Sequence, residues 1–105
     1  MKVIWSNLAE QQLDQSIAFV TDLWDKATGQ RLLQESRRIS RLLSTHPHIG
    51  HPEPLLANWP LGYRSIVIGR YNKMIYYIKE STIHISAIWD TRRDPSVLAN
   101  EVSFE

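Results

Sequence analysis

Apolar residues at Leu13, Ile17, Val20 and Trp24 follow one another at intervals of four, three and four, so a period of 3.6 residues gathers them on one helix face. Asn7, with Glu10 three positions on, reads as a capping pair that satisfies free amides at the start of this helix. Asp25 is placed to cap a second helix. In it Leu32, Ser36, Ile39 and Leu43 repeat the spacing, while Arg31, Arg37, Arg38 and Arg41 fall largely elsewhere. Gly29 weakens the first turn of that helix by up to about 1 kcal/mol relative to alanine, which blurs the boundary. With almost no loop between them, the two helices form a hairpin.

Strand-like runs flank this hairpin. Lys2 to Trp5 is a short apolar run that needs partners from later in the chain. His46 to Pro60 holds Pro47, Pro52, Pro54 and Pro60 together with Gly50, and reads as an ordered loop or extended crossing. Beyond it lie Tyr63 to Ile68, Met74 to Ile78 and Ile83 to Trp89, joined by Gly69-Arg70-Tyr71-Asn72 and Glu80-Ser81-Thr82. Turns this short predict an antiparallel meander. In the last run Ile83, Ile85, Ala87 and Trp89 alternate with His84, Ser86 and Ile88, which predicts one face covered by helices and the other partly polar. The predicted fold is α+β, a two-layer sandwich of order β-α-α-β-β-β, with the helical hairpin packed on a mainly antiparallel sheet. A chain of 105 residues fits one domain, 1–105.

Composition narrows the function classes. The longest apolar stretches, such as Met74 to Ile78, are far shorter than the roughly 20 residues of a membrane span. The amino terminus lacks the pattern of a signal peptide, so cytoplasmic residence is expected. With no cysteine, the sequence has no disulfide, thiolate metal site or cysteine nucleophile. No cofactor or metal is expected; His46, His48 and His51, in the proline-rich loop, are only a weak metal-site pattern.

The net charge of +1 conceals an uneven distribution. Residues 1–25 set Lys2 against Glu10, Asp14, Asp22 and Asp25. Residues 26–93 carry eleven basic residues against Glu35, Glu53, Glu80 and Asp90, and residues 94–105 carry three acids and no base. A basic middle can follow phosphates or an acidic partner, although on the second helix the arginines also fit a merely solvated face.

The segment from Gly69 to Pro95, GRYNKMIYYIKESTIHISAIWDTRRDP, resembles the carboxyl half of toxins of the RelE/ParE superfamily, the toxins of type II toxin–antitoxin systems known from plasmid stabilisation and addiction modules. Leu42-Leu43, Pro47 and Gly50, followed by Gly62-Tyr63-Arg64, resemble the same superfamily in spacing, so the resemblance spans nearly the whole chain. It implies a growth-inhibiting toxin neutralised by a cognate antitoxin whose tail wraps around it, as a homodimer or as a heterotetramer with the antitoxin. RelE-like members cleave messenger RNA on the ribosome without a metal. ParE-like members inhibit DNA gyrase.

The resemblance suggests Arg64, Lys73, Arg92 and Arg93 as phosphate-clamping or catalytic candidates, with Arg70 and Tyr77 contacting the bound macromolecule. His84 is a candidate proton shuttle, because an unperturbed imidazole titrates near pH 6.5, but its position does not match a family histidine. Tyr76 and Tyr77 point to opposite faces, so one of them is core. Each cation has a competing structural reading, as a brace for the sheet or a partner of Asp90 or Asp94. Trp59 and Trp89 read as packing residues. Where RelE-like chains place a tyrosine beyond the terminal arginines, this chain has Val97 and Leu98. The Arg92-Arg93-Asp94-Pro95 ending is closer to ParE-like chains. The expectation is therefore a ParE-like, gyrase-directed toxin. The alternatives are a ribosome-dependent, metal-independent endoribonuclease and an inactive homologue that only binds partners.

Overall fold

Strand β1 (Lys2–Trp5) runs parallel to the last strand of the chain, β5 (Thr82–Asp90), with Val3 opposite Ile83 and Trp5 opposite Ile85. The computed structural model describes residues 1–102. The β1–β5 pairing decides where the first helix starts. The Ser6 N–H donates to the Ile85 carbonyl at 2.9 Å and its hydroxyl donates to the Ser86 carbonyl at 3.1 Å. Ser6 is thereby held in extended backbone, the conformation a capping residue needs, and its Oγ accepts the Ala9 N–H at 3.0 Å. The cap is thus Ser6, and the expected Asn7 is the first residue of helix α1 (Asn7–Leu23).

Ala9, Leu13 and Val20 of α1 are buried and Ile17 packs against them, but Trp24 is 55% exposed. Trp24 closes the helix with φ −117° and ψ −83°, so its side chain leaves the periodic face to which its spacing assigned it. Asp25 caps α2 (Lys26–Thr45) as expected, accepting the Thr28 N–H at 2.7 Å. Leu32, Ser36, Ile39 and Leu43 are buried, and Arg31, Arg37, Arg38 and Arg41 are exposed. Gly29 has a packing reason: a Cβ there would lie 2.1 Å from Thr21 Oγ1 on the neighbouring helix.

The proline-rich crossing contains a two-residue strand, β2 (His51–Pro52), and a 3-10 turn at Pro54–Leu56. The meander follows as β3 (Arg64–Ile68), β4 (Asn72–Lys79) and β5, giving the sheet order β1-β5-β4-β3-β2. Glu80 and Ser81, at φ 52° and 60°, form the β4–β5 turn. A hairpin of two left-handed residues matches the strand twist, but it is one that Asn-Gly fills with less strain.

A β-bulge changes the predicted face pattern. Tyr76 pairs with Ile85 but Ile75 pairs with Ala87, leaving Ser86 as the extra residue. Before the bulge Ile83 and Ile85 face the helices; after it Ile88 does, while Ala87 and Trp89 turn to the opposite face. Strict alternation had put Ile83, Ile85, Ala87 and Trp89 together. The opposite face is also less polar than expected. Leu56, Tyr63, Ile75, Tyr77, Ala87 and Trp89 form a second apolar cluster there, closed by Leu98 and Val102 of a short helix, α3 (Leu98–Val102). A 3-10 turn at Pro95–Val97 leads into α3, and Tyr63 Oη donates to the Val102 carbonyl at 3.0 Å.

The bulge leaves the Ser86 hydroxyl buried with no hydrogen-bond partner among the described residues. Burying an unpaired hydroxyl is unfavourable, so Ser86→Ala is expected to be neutral or to stabilise by up to about 1 kcal/mol. A fall in the thermal midpoint would show that the hydroxyl is satisfied in solution.

Candidate functional site

The expected cations are dispersed. Arg64 and Lys73 lie on opposite faces of the sheet. Arg64 pairs with Tyr76, in the helix-side core, and its Nη1 donates to the Gly50 carbonyl at 2.6 Å and to the His48 carbonyl at 3.4 Å. It braces the crossing between α2 and β2. Lys73, on the other face, forms an ion pair with Glu53, whose side chain is fully buried. Glu53 also accepts the Leu55 N–H at 2.8 Å and the Ser65 hydroxyl at 2.9 Å. Burial pushes its carboxyl up, but the hydrogen bonds from Lys73, Leu55 and Ser65 and the lysine charge outweigh that and hold it below the usual range.

The two tyrosines take opposite faces as expected, but both are buried, so Tyr77 is a core residue rather than an exposed contact for a macromolecule. Tyr76 is fully buried, its phenol accepting the Gly50 N–H at 3.0 Å and donating to the Pro47 carbonyl at 2.8 Å. Burial raises its pKa, which keeps it a neutral structural donor. Tyr77 lies in the opposite cluster, edge-on to Tyr63 at 5.4 Å and stacked with His84 at 4.7 Å. His84 therefore sits at one end of β5, with Arg92 and Arg93 beyond the other. From His84 to the strand end at Asp90 are six residue steps, roughly 20 Å.

At that far end Arg92 grips Asp90 with two guanidinium nitrogens, Nε donating to Oδ1 at 3.0 Å and Nη2 to Oδ2 at 2.7 Å, and lies over the Phe19 and Tyr71 rings at 4.6 and 4.1 Å. The hydrogen bond from Arg92 is the largest cause holding the Asp90 carboxyl below its ordinary range. Arg93 reaches Glu101 at 2.7 and 3.2 Å and covers Trp89 at 4.7 Å. Both arginines thus have the local carboxylate partners that a structural reading requires, although Arg93 pairs with Glu101 rather than with Asp90 or Asp94. Exposed ion pairs contribute little to stability, so the guanidiniums stay available for exchange with another anion.

Arg70 is different. It is exposed, lies over the Trp24 ring at 5.6 Å and belongs to no ion pair among the described residues. Trp24 and Arg31 accompany it around a cleft between the α1–α2 bend and the β3–β4 turn. The sequence pattern singles out neither: the spacing of Trp24 predicts a core position, and Arg31 fits a partner-binding basic block and a solvated face alike. Their proximity to Arg70 is a tertiary fact with no local signal. His46, His48 and His51 belong to no cluster of three or more metal-ligating side chains among the described residues. No helix there is long and apolar enough to cross a membrane.

Residues 3–95 match the family model described as the ParE toxin of the type II toxin-antitoxin system parDE. Among solved structures, a chain of the chromosomal ParDE TA system from P. aeruginosa is similar with a TM-score of 0.69 at 19% identity, covering 86% of this chain and 95% of that one. No curated protein matches the chain significantly.

Proposed function

The chain belongs to the ParE toxin family of type II toxin–antitoxin systems, and from that membership we propose that it arrests growth by binding DNA gyrase rather than by cutting RNA, and that a cognate antitoxin neutralises it. The observation that carries the choice is the dispersal of the candidate groups. Metal-free phosphodiester cleavage needs a base, an acid and a charge clamp around one phosphate. Here Arg64 and Lys73 occupy opposite faces, Lys73 neutralises a buried carboxylate, and His84 is a strand length away from Arg92 and Arg93. A binding inhibitor needs no such convergence, only a complementary surface.

Expression without antitoxin is expected to arrest growth, and the purified chain to inhibit gyrase supercoiling. Primer extension on messages from induced cells should reveal no codon-linked cuts. Such cuts, with supercoiling unaffected, would instead establish the RelE-like endoribonuclease. Unimpaired growth with soluble, folded protein would leave the inactive, partner-binding homologue.

A further inference from the structure

The solvent face of α2 carries four arginines and no acid. At 3.6 residues per turn, Arg31, Arg37, Arg38 and Arg41 fall within an arc of about 120°, with Gln30 and Gln34 between them, and all six side chains are exposed. None of the four arginines belongs to an ion pair among the described residues. Glu35, the one acid of the helix, lies off this arc and accepts the Gly69 N–H at 3.1 Å. Asp25, at the amino end, feels the Arg31 charge, but its carboxylate is held by the Thr28 N–H and hydroxyl, both at 2.7 Å. On the other flank Glu10 and Asp14 share a groove with Arg37 and Arg41 and pair with neither.

A helix face that is only solvated ordinarily alternates the signs of its charges. Here Arg41 follows Arg37 by four residues and Arg38 by three, which makes two like-charge pairs on adjacent turns. Each such pair destabilises a helix by about 0.2–0.5 kcal/mol. The helix dipole does not offset this, because none of the four stands in the last turn. A repulsion that the chain does not neutralise from within is relieved by a partner that brings the anions.

The make-up of the face identifies that partner. Every large apolar side chain left exposed lies outside α2, so the face lacks the apolar centre of a protein–protein interface. A membrane-surface helix needs its apolar side free, and here Leu32, Ile39 and Leu43 are in the core. Arginine and glutamine are donors suited to phosphate oxygens, and interfaces with DNA are polar and strongly positive. From Arg31 to Arg41 the helix rises about 15 Å, a length over which a duplex presents about four phosphates on each strand. We propose that this face of α2 lies against the phosphate backbone of duplex DNA, without reading its sequence. DNA gyrase acts on such a duplex, but the inference does not depend on gyrase being the target.

Titration of a short labelled DNA duplex of mixed sequence with the whole chain, followed by fluorescence anisotropy over a series of salt concentrations, tests this. The wild type is expected to bind with a Kd on the order of 10 µM at about 50 mM salt, with log K falling against log salt at a slope of about −3. Arg38→Gln/Arg41→Gln is expected to weaken binding by on the order of 10- to 100-fold and to flatten that slope by about 2. This variant should melt no lower than the wild type, because both side chains are exposed and the like-charge pairs are gone. Lys2→Gln/Lys79→Gln removes the same net charge from exposed positions on the sheet and should bind as the wild type does. Failure of the wild type to bind, unchanged affinity in the Arg38/Arg41 variant, or an equal loss in the Lys2/Lys79 control overturns the proposal. Tighter binding of a duplex RNA of the same sequence overturns the assignment to DNA. Poly-glutamate that competes as well as the duplex assigns the face to an acidic protein and overturns it too.

Discussion

Lys73→Met is expected to destabilise the protein by about 3 kcal/mol, the lower end of what breaking a buried ion pair costs. The substitution leaves the Glu53 carboxylate, with a fully buried side chain, without its cation. The Leu55 and Ser65 hydrogen bonds survive, and the lysine side chain keeps 16% exposure in the native protein, so the upper end of the range does not apply. The pH dependence carries a sign. In the native protein the Glu53 carboxyl is held below its ordinary 4.5, so the stability it contributes is present above that value and lost as pH falls through the lower folded one. Removing Lys73 takes away two of the causes that lower the carboxyl, so its folded value rises, and the deficit relative to wild type shrinks as pH falls from that raised value to the wild type's folded one. Urea unfolding of both proteins at pH 7 and pH 4 measures this, and a deficit independent of pH refutes it. Glu53→Gln/Lys73→Met should recover part of the loss. Loss of toxicity in a Lys73 variant therefore reports on folding before it reports on chemistry. Alanine at Arg64, Lys73, Arg92 and Arg93 together is uninformative about function unless folding is measured alongside.

Gly50→Ala is expected to cost about 1–3 kcal/mol or more through overpacking. A Cβ at this position would lie 2.7 Å from Tyr76 Oη, 2.8 Å from Tyr76 Cε1 and 2.9 Å from the Ser65 carbonyl oxygen. None of these atoms can yield cheaply: Ser65 is strand backbone and the Tyr76 ring is fully buried. Tyr76→Phe has a different cause, because it strands the Gly50 N–H and the Pro47 carbonyl that the phenol satisfies, at about 1–3 kcal/mol. The two share one set of atoms, so the double variant should be less damaged than the sum of the singles. Thermal unfolding of the three proteins gives the coupling, and strict additivity would mean that the crossing relaxes freely around position 50. Domains of this size have about 5–15 kcal/mol of stability in all, so either change removes a large share of it.

The candidate site was much less readable in the sequence than the fold. Arg64, Lys73, Arg92 and Arg93 stood out as cations near strands, and each has a structural engagement. Arg64 holds carbonyls of the crossing, Lys73 a buried acid, and Arg92 and Arg93 the nearby carboxylates Asp90 and Glu101. Of these, only the Arg92–Asp90 pair spans few enough positions to be anticipated from spacing. Glu53 had no signal as a buried anion, since an isolated glutamate in a proline-rich stretch ordinarily stays solvated. The α3 helix was missed because five residues are too few to show a period.

What the chain specifies locally could be read from it directly. The α2 face of Leu32, Ser36, Ile39 and Leu43, the cap at Asp25 and the antiparallel meander each depend on residues within a few positions of one another. The remainder depended on chain segments far apart in sequence. Pairing of β1 with β5 moved the first cap to Ser6, and one bulge at Ser86 turned Ala87 and Trp89 to the other face. The crossing brought Glu53 to Lys73, and the hairpin bend brought Trp24 and Arg31 to Arg70. Periodicity reports how a residue relates to its own helix or strand. The partner that neutralises a charge or covers an aromatic ring is supplied by the packing of the whole chain.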